Sequence, residues 1–177
     1  MAEKISAPYP RKYPVMQQPS TEPTQGQNEQ MARRFGMFLH FGINTFHNTE
    51  WSDGTLPVES YVPTAIDADG WVRTAYEAGM NYVIVITKHH DGFCMWDTHT
   101  TDYCINSSQN KTDVVAEVAK ACKKHGVKLG LYYSLWDRHE KCYPDDEAYA
   151  DYMIAHLTEL MDGRYGEIVE LWLDGEW

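Results

Sequence analysis

Four short apolar segments, separated by helical patterns, constrain the fold of this chain more than any other feature. The segments cover residues 35–42, 82–87, 128–134 and 168–173. The first is hydrophobic on both faces, which is typical of buried parallel strands, and the second is a continuous run rich in β-branched residues. Parallel strands need long crossover connections, which are usually helices, and the intervals between these segments are long enough to contain them. The sequence therefore predicts an α/β fold with the order β-α-β-α-β-α-β.

Three helices are predicted in these intervals from apolar residues at helical spacing. Each is bounded by residues that favour helix starts or stops. These boundary residues are Asp67 or Asp69 and Gly79 for the first helix, Thr112 or Asp113 and Gly126 for the second, and Asp145 or Asp146 and the pair Asp162–Gly163 for the third.

Polar side chains at the strand ends distinguish between two possible α/β architectures. A doubly wound sheet gathers its ligand at one switch point, whereas a barrel draws its chemistry from the ends of several strands. All four predicted strands end in candidate groups: His40, the pair His89–His90, Tyr133 with Ser134, and Asp174. The first strand is not followed by a G-x-G-x-x-G turn, so nucleotide binding has no local support. These features favour a TIM-like (β/α)₈ barrel.

The length of the chain predicts only part of such a barrel. Eight βα units take about 250 residues, and this chain has 177. We therefore expect residues 31–177 to form the N-terminal half of the catalytic barrel, with its first four strands and three helices. Residues 1–30 contain five prolines and no sustained apolar period, which predicts an extended N-terminal arm.

Charge and composition narrow the class of ligand. The net charge is −11, with no basic block to offset it, which argues against a nucleic-acid or anionic-membrane partner. No apolar run is long enough to span a bilayer, and the N-terminus does not resemble a signal peptide, so we expect a soluble, cytoplasmic protein. The four cysteines form no C-x-x-C pair and are predicted to be reduced thiols.

Tryptophans near the predicted strand ends indicate a sugar ligand. Most of the tryptophans at positions 51, 96, 136, 172 and 177 lie beside polar groups in loops or at strand exits. A pyranose has apolar C–H patches and a rim of hydroxyls, which suit aromatic faces beside hydrogen-bonding groups. Adjacent residues on an extended strand point to opposite faces, so His89 and His90 are poorly placed to share an ion. We predict neither a metal nor a cofactor.

Five ordered motifs together resemble the α-L-fucosidases of glycoside hydrolase family 29. The motifs are Gly36-Met37-Phe38-Leu39-His40-Phe41-Gly42, Glu50-Trp51, His89-His90-Asp91-Gly92-Phe93, Leu131-Tyr132-Tyr133-Ser134 and Leu171-Trp172-Leu173-Asp174-Gly175. The resemblance covers approximately residues 31–177. It implies a retaining, exo-acting hydrolase that releases terminal α-linked L-fucose from a fucosylated glycan, built as a catalytic barrel followed by a β-sandwich domain.

The resemblance also implies roles for individual residues. Asp174 resembles the family nucleophile. A fucose-binding wall is implied for His40, Glu50, Trp51, His89, His90, Tyr133 and Trp172. The acid/base carboxylate of the family is expected downstream of this chain, although Glu50 is a carboxylate in an upstream motif and its role stays open.

Two other functions are compatible with the sequence. The chain could be a non-catalytic fucose-binding remnant or an inactive fragment, which keeps the fucose-binding wall but lacks the acid/base carboxylate. It could also belong to a barrel hydrolase that acts on another sugar. Because retaining hydrolysis needs two carboxyl groups, we expect the 177-residue chain alone to be inactive.

Overall fold

A computed structural model describes residues 21–175 of the chain, which divides into two units after Ala32. The second unit is built on a four-stranded, fully parallel sheet with the strand order β1-β2-β3-β4. The strands are β1 (Gly36–Leu39), β2 (Tyr82–Lys88), β3 (Lys128–Ser134) and β4 (Ile168–Asp174). The predicted α/β class and the four predicted strands are confirmed.

Four α-helices occur in the described residues: α1 (Gln25–Arg33), α2 (Ala68–Glu77), α3 (Val114–His125) and α4 (Asp146–Met161). Helices α2, α3 and α4 are the predicted crossovers, and each begins after an aspartate whose side chain accepts from a backbone N–H of the first turn. Helix α3 ends at Gly126, which has the left-handed φ of 71° that favours glycine at this position.

The two faces of the sheet carry different side chains because residues alternate along each strand. Leu129, Leu131 and Tyr133 of β3 join the main core, which also contains apolar residues of α2, α3 and α4. Tyr132 lies on the other face with Ile84 and Ile86. The sheet therefore separates a helix-covered core from a second face, which corresponds to the interior of a barrel.

The N-terminal segment differs from the prediction in part. Residues 1–20 of the predicted extended arm lie outside the described residues, but Gln25–Arg33 forms helix α1. Thr24 and Gln27 cap the start of α1 reciprocally: the Thr24 N–H donates to Gln27 Oε1 at 2.8 Å, and the Gln27 N–H donates to Thr24 Oγ1 at 3.3 Å. This capping box favours a helix, so the prediction of extended chain is wrong for residues 25–30.

A buried ion pair connects the end of β2 to the loop that follows β3. Lys88 Nζ lies 2.8 Å from Asp137 Oδ2, and both side chains are fully buried. The other carboxylate oxygen, Oδ1, accepts from the backbone N–H groups of His139 and Glu140. Lys88 also donates to the carbonyl of Trp136 at 3.4 Å. The pair therefore fixes the course of residues 136–140 beside the end of β2.

Among residues 21–175, no helix is long and apolar enough to cross a membrane.

Candidate active site

The carboxylate of Asp174 lies at the end of β4 and is held by two hydrogen bonds. Tyr132 donates its hydroxyl to Oδ2 at 2.7 Å, and the backbone N–H of Gly175 donates to Oδ1 at 2.8 Å. The hydrogen bond from Tyr132, assisted by that from Gly175 and by the nearby histidines, lowers the pKa of Asp174. The side chain remains 41% exposed. Asp174 is therefore an oriented, ionised and accessible carboxylate at neutral pH.

Gly175 makes this arrangement possible because it has no side chain. Its φ of 79° is in the left-handed region. A Cβ atom at this position would lie 2.9 Å from Trp136 Cβ and 3.0 Å from His90 Cε1. The sequence Asp174-Gly175 thus lets the chain turn while the carboxylate, an imidazole and an indole come together.

His90 is the histidine closest to this carboxylate. Its Nε2 lies 3.8 Å from Asp174 Oδ2, and its Nδ1 lies 2.7 Å from the hydroxyl oxygen of Ser134. The ring also packs at 5.2 Å from that of Trp136. Burial lowers the pKa of His90, an effect that the charge of Asp174 partly opposes. His90 therefore faces Asp174 as a neutral imidazole at neutral pH.

His90, His89 and His40 form a row of imidazoles in which each ring contacts the next. The rings of His89 and His90 are 4.2 Å apart, and those of His40 and His89 are 4.7 Å apart. The expectation that His89 and His90 point to opposite faces is wrong, because both follow the end of β2 and the chain turns from His89 to Gly92. Burial, with smaller contributions from the other two histidines, lowers the pKa of His89 to about 3.

Glu50 lines the same pocket as two of the three histidines, and the volume of this pocket is about 250 Å³. Its lining includes His40, His89, Asn44 and Glu50. The side-chain amide of Asn44 donates to the backbone carbonyl of Glu50 at 3.3 Å and to Asp91 Oδ2 at 2.7 Å. Asn44 therefore connects the Glu50 loop to the end of β2.

Asp91 has a structural role in this part of the site. It is 2% exposed, and its Oδ1 accepts from the N–H of Phe93 at 2.8 Å. Burial raises the pKa of its carboxyl group, although these hydrogen bonds oppose the shift. With both oxygens bonded inside the protein, Asp91 holds the turn after β2 instead of facing a ligand.

Two exposed tryptophans, Trp51 and Trp172, belong to this part of the structure. Trp51 is 44% exposed, and its ring meets those of His90 and Trp136 edge to face, at 5.8 and 5.6 Å. Trp172 precedes Asp174 by two residues, so both lie on the same face of β4. It is 46% exposed and packs against Phe38 at 5.5 Å. The two predicted tryptophans thus offer accessible aromatic surface near Asp174.

Tyr133 lies away from the side chains around Asp174, so the prediction that it belongs to the fucose-binding wall is wrong. Its side chain is fully buried on the helix-covered face of β3, where its hydroxyl lies 3.0 Å from His156 Nδ1. Tyr132, on the opposite face, is the tyrosine that contacts Asp174. Adjacent residues of a strand point to opposite faces, and this alternation would have assigned the two tyrosines correctly.

The implied fucose-binding wall omits three residues that shape the site: Tyr132, Ser134 and Asn44. Of these, Ser134 was predicted only as a candidate group at the end of its strand. Tyr132 and Ser134 share a face of β3 two residues apart, which is a signal that the sequence contains. Asn44 lies after β1 in a short 3-10 helix, Ile43–His47, which is too short to have a periodic signature in the sequence. Among residues 21–175, no group of three or more histidine, cysteine, aspartate or glutamate side chains is arranged to hold a metal ion.

The fold and the site define the class of protein. A parallel α/β sheet that gathers a carboxylate, imidazoles and indoles at the carboxyl ends of its strands has the architecture of an α/β-barrel enzyme. A family model described as alpha-L-fucosidase matches residues 45–177. The chain belongs to the α-L-fucosidase family.

Individual relatives agree with this assignment. Alpha-L-fucosidase 1 of Arabidopsis thaliana is 46% identical over 169 residues, which cover 94% of this chain and 32% of that protein. The crystal structure of a glycoside hydrolase 29 family member from an unknown rumen bacterium is 37% identical, with a TM-score of 0.83 over 88% of this chain and 28% of the other.

A third relative was solved in a state that bears on mechanism. It is a GH29 α-L-fucosidase from Bacteroides thetaiotaomicron, determined as a trapped covalent intermediate with 2-fluoro-fucosyl fluoride. It is 25% identical, with a TM-score of 0.79 over 94% of this chain and 45% of the other. The present chain spans about a third of the length of the first curated relatives that it matches.

Proposed function

We propose that the protein carrying this chain hydrolyses terminal α-linked L-fucose with retention of configuration, and that Asp174 is its nucleophile. The observation that carries the proposal is the environment of Asp174: an exposed, ionised carboxylate held at both oxygens beside neutral imidazoles. The trapped covalent intermediate of the Bacteroides thetaiotaomicron relative supports a covalent mechanism in this family.

The chemistry of such a nucleophile follows from its two hydrogen bonds. A carboxylate oxygen attacks the anomeric carbon as the glycosidic oxygen leaves with a proton from a general acid, and water then hydrolyses the glycosyl ester. Tyr132 and Gly175 orient the carboxylate before the attack, which lowers the entropic cost of reaching the transition state. The lowered pKa of Asp174 keeps it in the nucleophilic form at neutral pH.

We assign fucose binding to the side chains around this carboxylate. His40, His89 and His90 supply imidazole groups for sugar hydroxyls, and Trp51 and Trp172 supply aromatic surface for C–H patches. This assignment is supported by the ring contacts that connect the histidines and by the exposure of both tryptophans. The natural substrate class would then be a fucosylated glycan or glycoconjugate.

A retaining mechanism requires a second carboxyl group about 5–5.5 Å from the nucleophile. We propose that it belongs to the part of the barrel C-terminal to residue 177, which a β-sandwich domain would follow. Glu50 would then contact the sugar from the pocket that it shares with His40 and His89. The alternative, in which Glu50 transfers the proton, makes a different prediction for the isolated chain: it should turn over substrate.

The test uses the complete protein and an aryl α-L-fucoside. Asp174→Ala should lower kcat by more than a thousandfold, and azide should restore turnover by giving a glycosyl azide, because a small anion can replace the missing carboxylate. Asp102→Ala, at an exposed aspartate outside the site, is the matched control and should leave kcat unchanged. Near-normal turnover by Asp174→Ala would contradict the assignment.

The same assays separate the other functions. Binding of L-fucose without turnover by the complete wild-type protein would indicate a fucose-binding protein. Turnover of a different aryl glycoside, with none of the fucoside, would indicate a hydrolase for another sugar.

A cytoplasmic location is also part of the proposal. The four cysteines are free thiols, and three of them are buried, which suits a reducing compartment. Cell fractionation followed by thiol labelling would test it, since a secreted, oxidised protein would contradict it.

A further inference from the structure

The orientation of His90 depends on one buried serine. His90 Nδ1 lies 2.7 Å from Ser134 Oγ, and that oxygen also lies 2.7 Å from the backbone carbonyl oxygen of Trp136. Ser134 is fully buried. Its hydroxyl is therefore shared between an imidazole nitrogen and a carbonyl oxygen inside the protein.

Counting donors and acceptors fixes the direction of both hydrogen bonds. A carbonyl oxygen only accepts, so the single hydrogen of Ser134 points to Trp136. The hydroxyl oxygen of Ser134 must then accept, and the hydrogen between it and His90 belongs to Nδ1. A neutral imidazole carries one such hydrogen, so Nε2 of His90 is an acceptor.

This tautomer has a chemical consequence at the nucleophile. The acceptor Nε2 lies 3.8 Å from Asp174 Oδ2, which is also an acceptor. The distance is too long for a hydrogen bond between them. A ligand hydroxyl that enters beside Asp174 can donate its hydrogen to Nε2, whereas an ether or fluorine substituent has no hydrogen to donate.

We propose that Ser134 is a positioning residue that holds His90 as the Nδ1–H tautomer, so that Nε2 accepts a hydrogen bond from a ligand hydroxyl next to Asp174. That the ligand is L-fucose rests on the proposed function. The tautomer itself does not, since it follows from contacts within the protein.

NMR on the ligand-free complete protein tests the tautomer directly. Long-range proton–nitrogen spectra of protein labelled with ¹⁵N-histidine distinguish protonated from unprotonated ring nitrogens, and a His90→Gln variant identifies the His90 signals. We expect Nδ1 protonated and Nε2 unprotonated in the wild type. Ser134→Ala should increase the fraction with a hydrogen on Nε2, and Ser134→Thr, which keeps a hydroxyl, should restore the wild-type pattern.

A second buried serine provides the matched control. Ser108 is 4% exposed, and its hydroxyl donates only to backbone carbonyls, those of Ile105 and Asn110. Ser108→Ala also removes a buried hydroxyl, but it should leave the His90 signals unchanged. A change in both serine variants would show a general effect of destabilisation and would overturn the specific role of Ser134.

Ligand binding provides the functional measurement. Ser134→Ala should weaken binding of L-fucose about 2- to 10-fold, the effect of one lost neutral hydrogen bond, and Ser134→Thr should recover it. A wild-type His90 with Nε2 protonated, or one whose tautomer is unchanged by Ser134→Ala, would overturn the proposal. If the tautomer is confirmed but the complete protein does not hydrolyse a fucoside, the proposed function fails and the role of Ser134 stands.

Discussion

The hydroxyl of Tyr132 donates to Oδ2 of Asp174 across two neighbouring strands, with an oxygen–oxygen distance of 2.7 Å. The two residues are 42 positions apart in the chain, and the register of β3 and β4 brings them to the same face of the sheet. This contact is the largest of the effects that lower the pKa of Asp174. It therefore connects the strand register to the ionisation of the proposed nucleophile.

Removing this hydroxyl should raise the pKa of Asp174. Tyr132→Phe deletes a hydrogen bond that favours the ionised carboxylate, so the midpoint of the carboxyl ¹³C titration should move to higher pH. If the complete protein hydrolyses fucosides as proposed, the acidic limb of its kcat/KM profile should move in the same direction. Tyr133→Phe is the matched control, because it removes a hydroxyl that contacts His156 instead, and it should leave the Asp174 titration unchanged.

Replacing Gly175 should damage the site more than replacing another glycine with positive φ. Gly175→Ala combines the left-handed backbone cost of about 1–2 kcal/mol with overpacking of about 1–3 kcal/mol against Trp136 and His90. Gly126→Ala has the same type of backbone cost, but a Cβ there meets nothing within 4 Å. Urea unfolding should rank Gly175→Ala as the more destabilised variant, and a reversed order would contradict the packing argument.

Removing the buried Lys88 should lower the free energy of unfolding far more than removing an exposed lysine. Lys88→Met leaves the charge of Asp137 buried without its partner, which typically costs about 3–5 kcal/mol. Lys128 makes an even shorter contact, 2.6 Å to Glu167, but both side chains are more than half exposed. Lys128→Met should therefore change the free energy of unfolding by less than about 1 kcal/mol. If both variants lost the same free energy of unfolding, burial would not determine how much an ion pair contributes to stability.

His156 should make the protein less stable at acidic pH. Burial lowers its pKa to about 3 in the folded protein, whereas the unfolded chain binds the proton near pH 6.5. The unfolded state therefore holds more protons between these values, and stability falls by about 1.4 kcal/mol per pH unit as the pH decreases below 6.5.

His156→Gln should remove this part of the slope in urea unfolding between pH 6 and pH 4. The same substitution at His99, which is solvent-exposed, is the control. An unchanged slope in His156→Gln would contradict the prediction.

The sequence predicted the elements of the fold well because their signals are local. Asp113 and Gly126, which bound α3 in the structure, both belong to the predicted boundary residues. The motif that contains Tyr133 predicts a site residue there, but the alternation of side chains along β3 favours Tyr132, which contacts Asp174. The converging rings of His89 and His90 depend on a turn in which Gly92 has a φ of 86°, whereas the sequence pattern predicts an extended strand there.

Long-range contacts account for what the sequence could not predict. A fully buried lysine is unexpected from composition, because Lys88 needs a partner that lies 49 residues away in Asp137. Asn44 likewise depends on a distant partner, because it donates to Asp91, which lies 47 residues further along the chain. Such pairs are specified by the packed fold, and no local pattern reports them.

The buried bond between Lys88 and Asp137 has a thermodynamic consequence for ligand binding. It fixes residues 136–140 beside the end of β2, and the backbone N–H of Arg138 adds a 2.9 Å bond to the carbonyl of His90. Trp136 and His90 are thus ordered before any ligand binds. Immobilising a side chain on binding typically costs about 0.5–1.5 kcal/mol. Because these two side chains are already ordered in the folded protein, binding does not include this cost, and a larger part of the contact energy contributes to affinity.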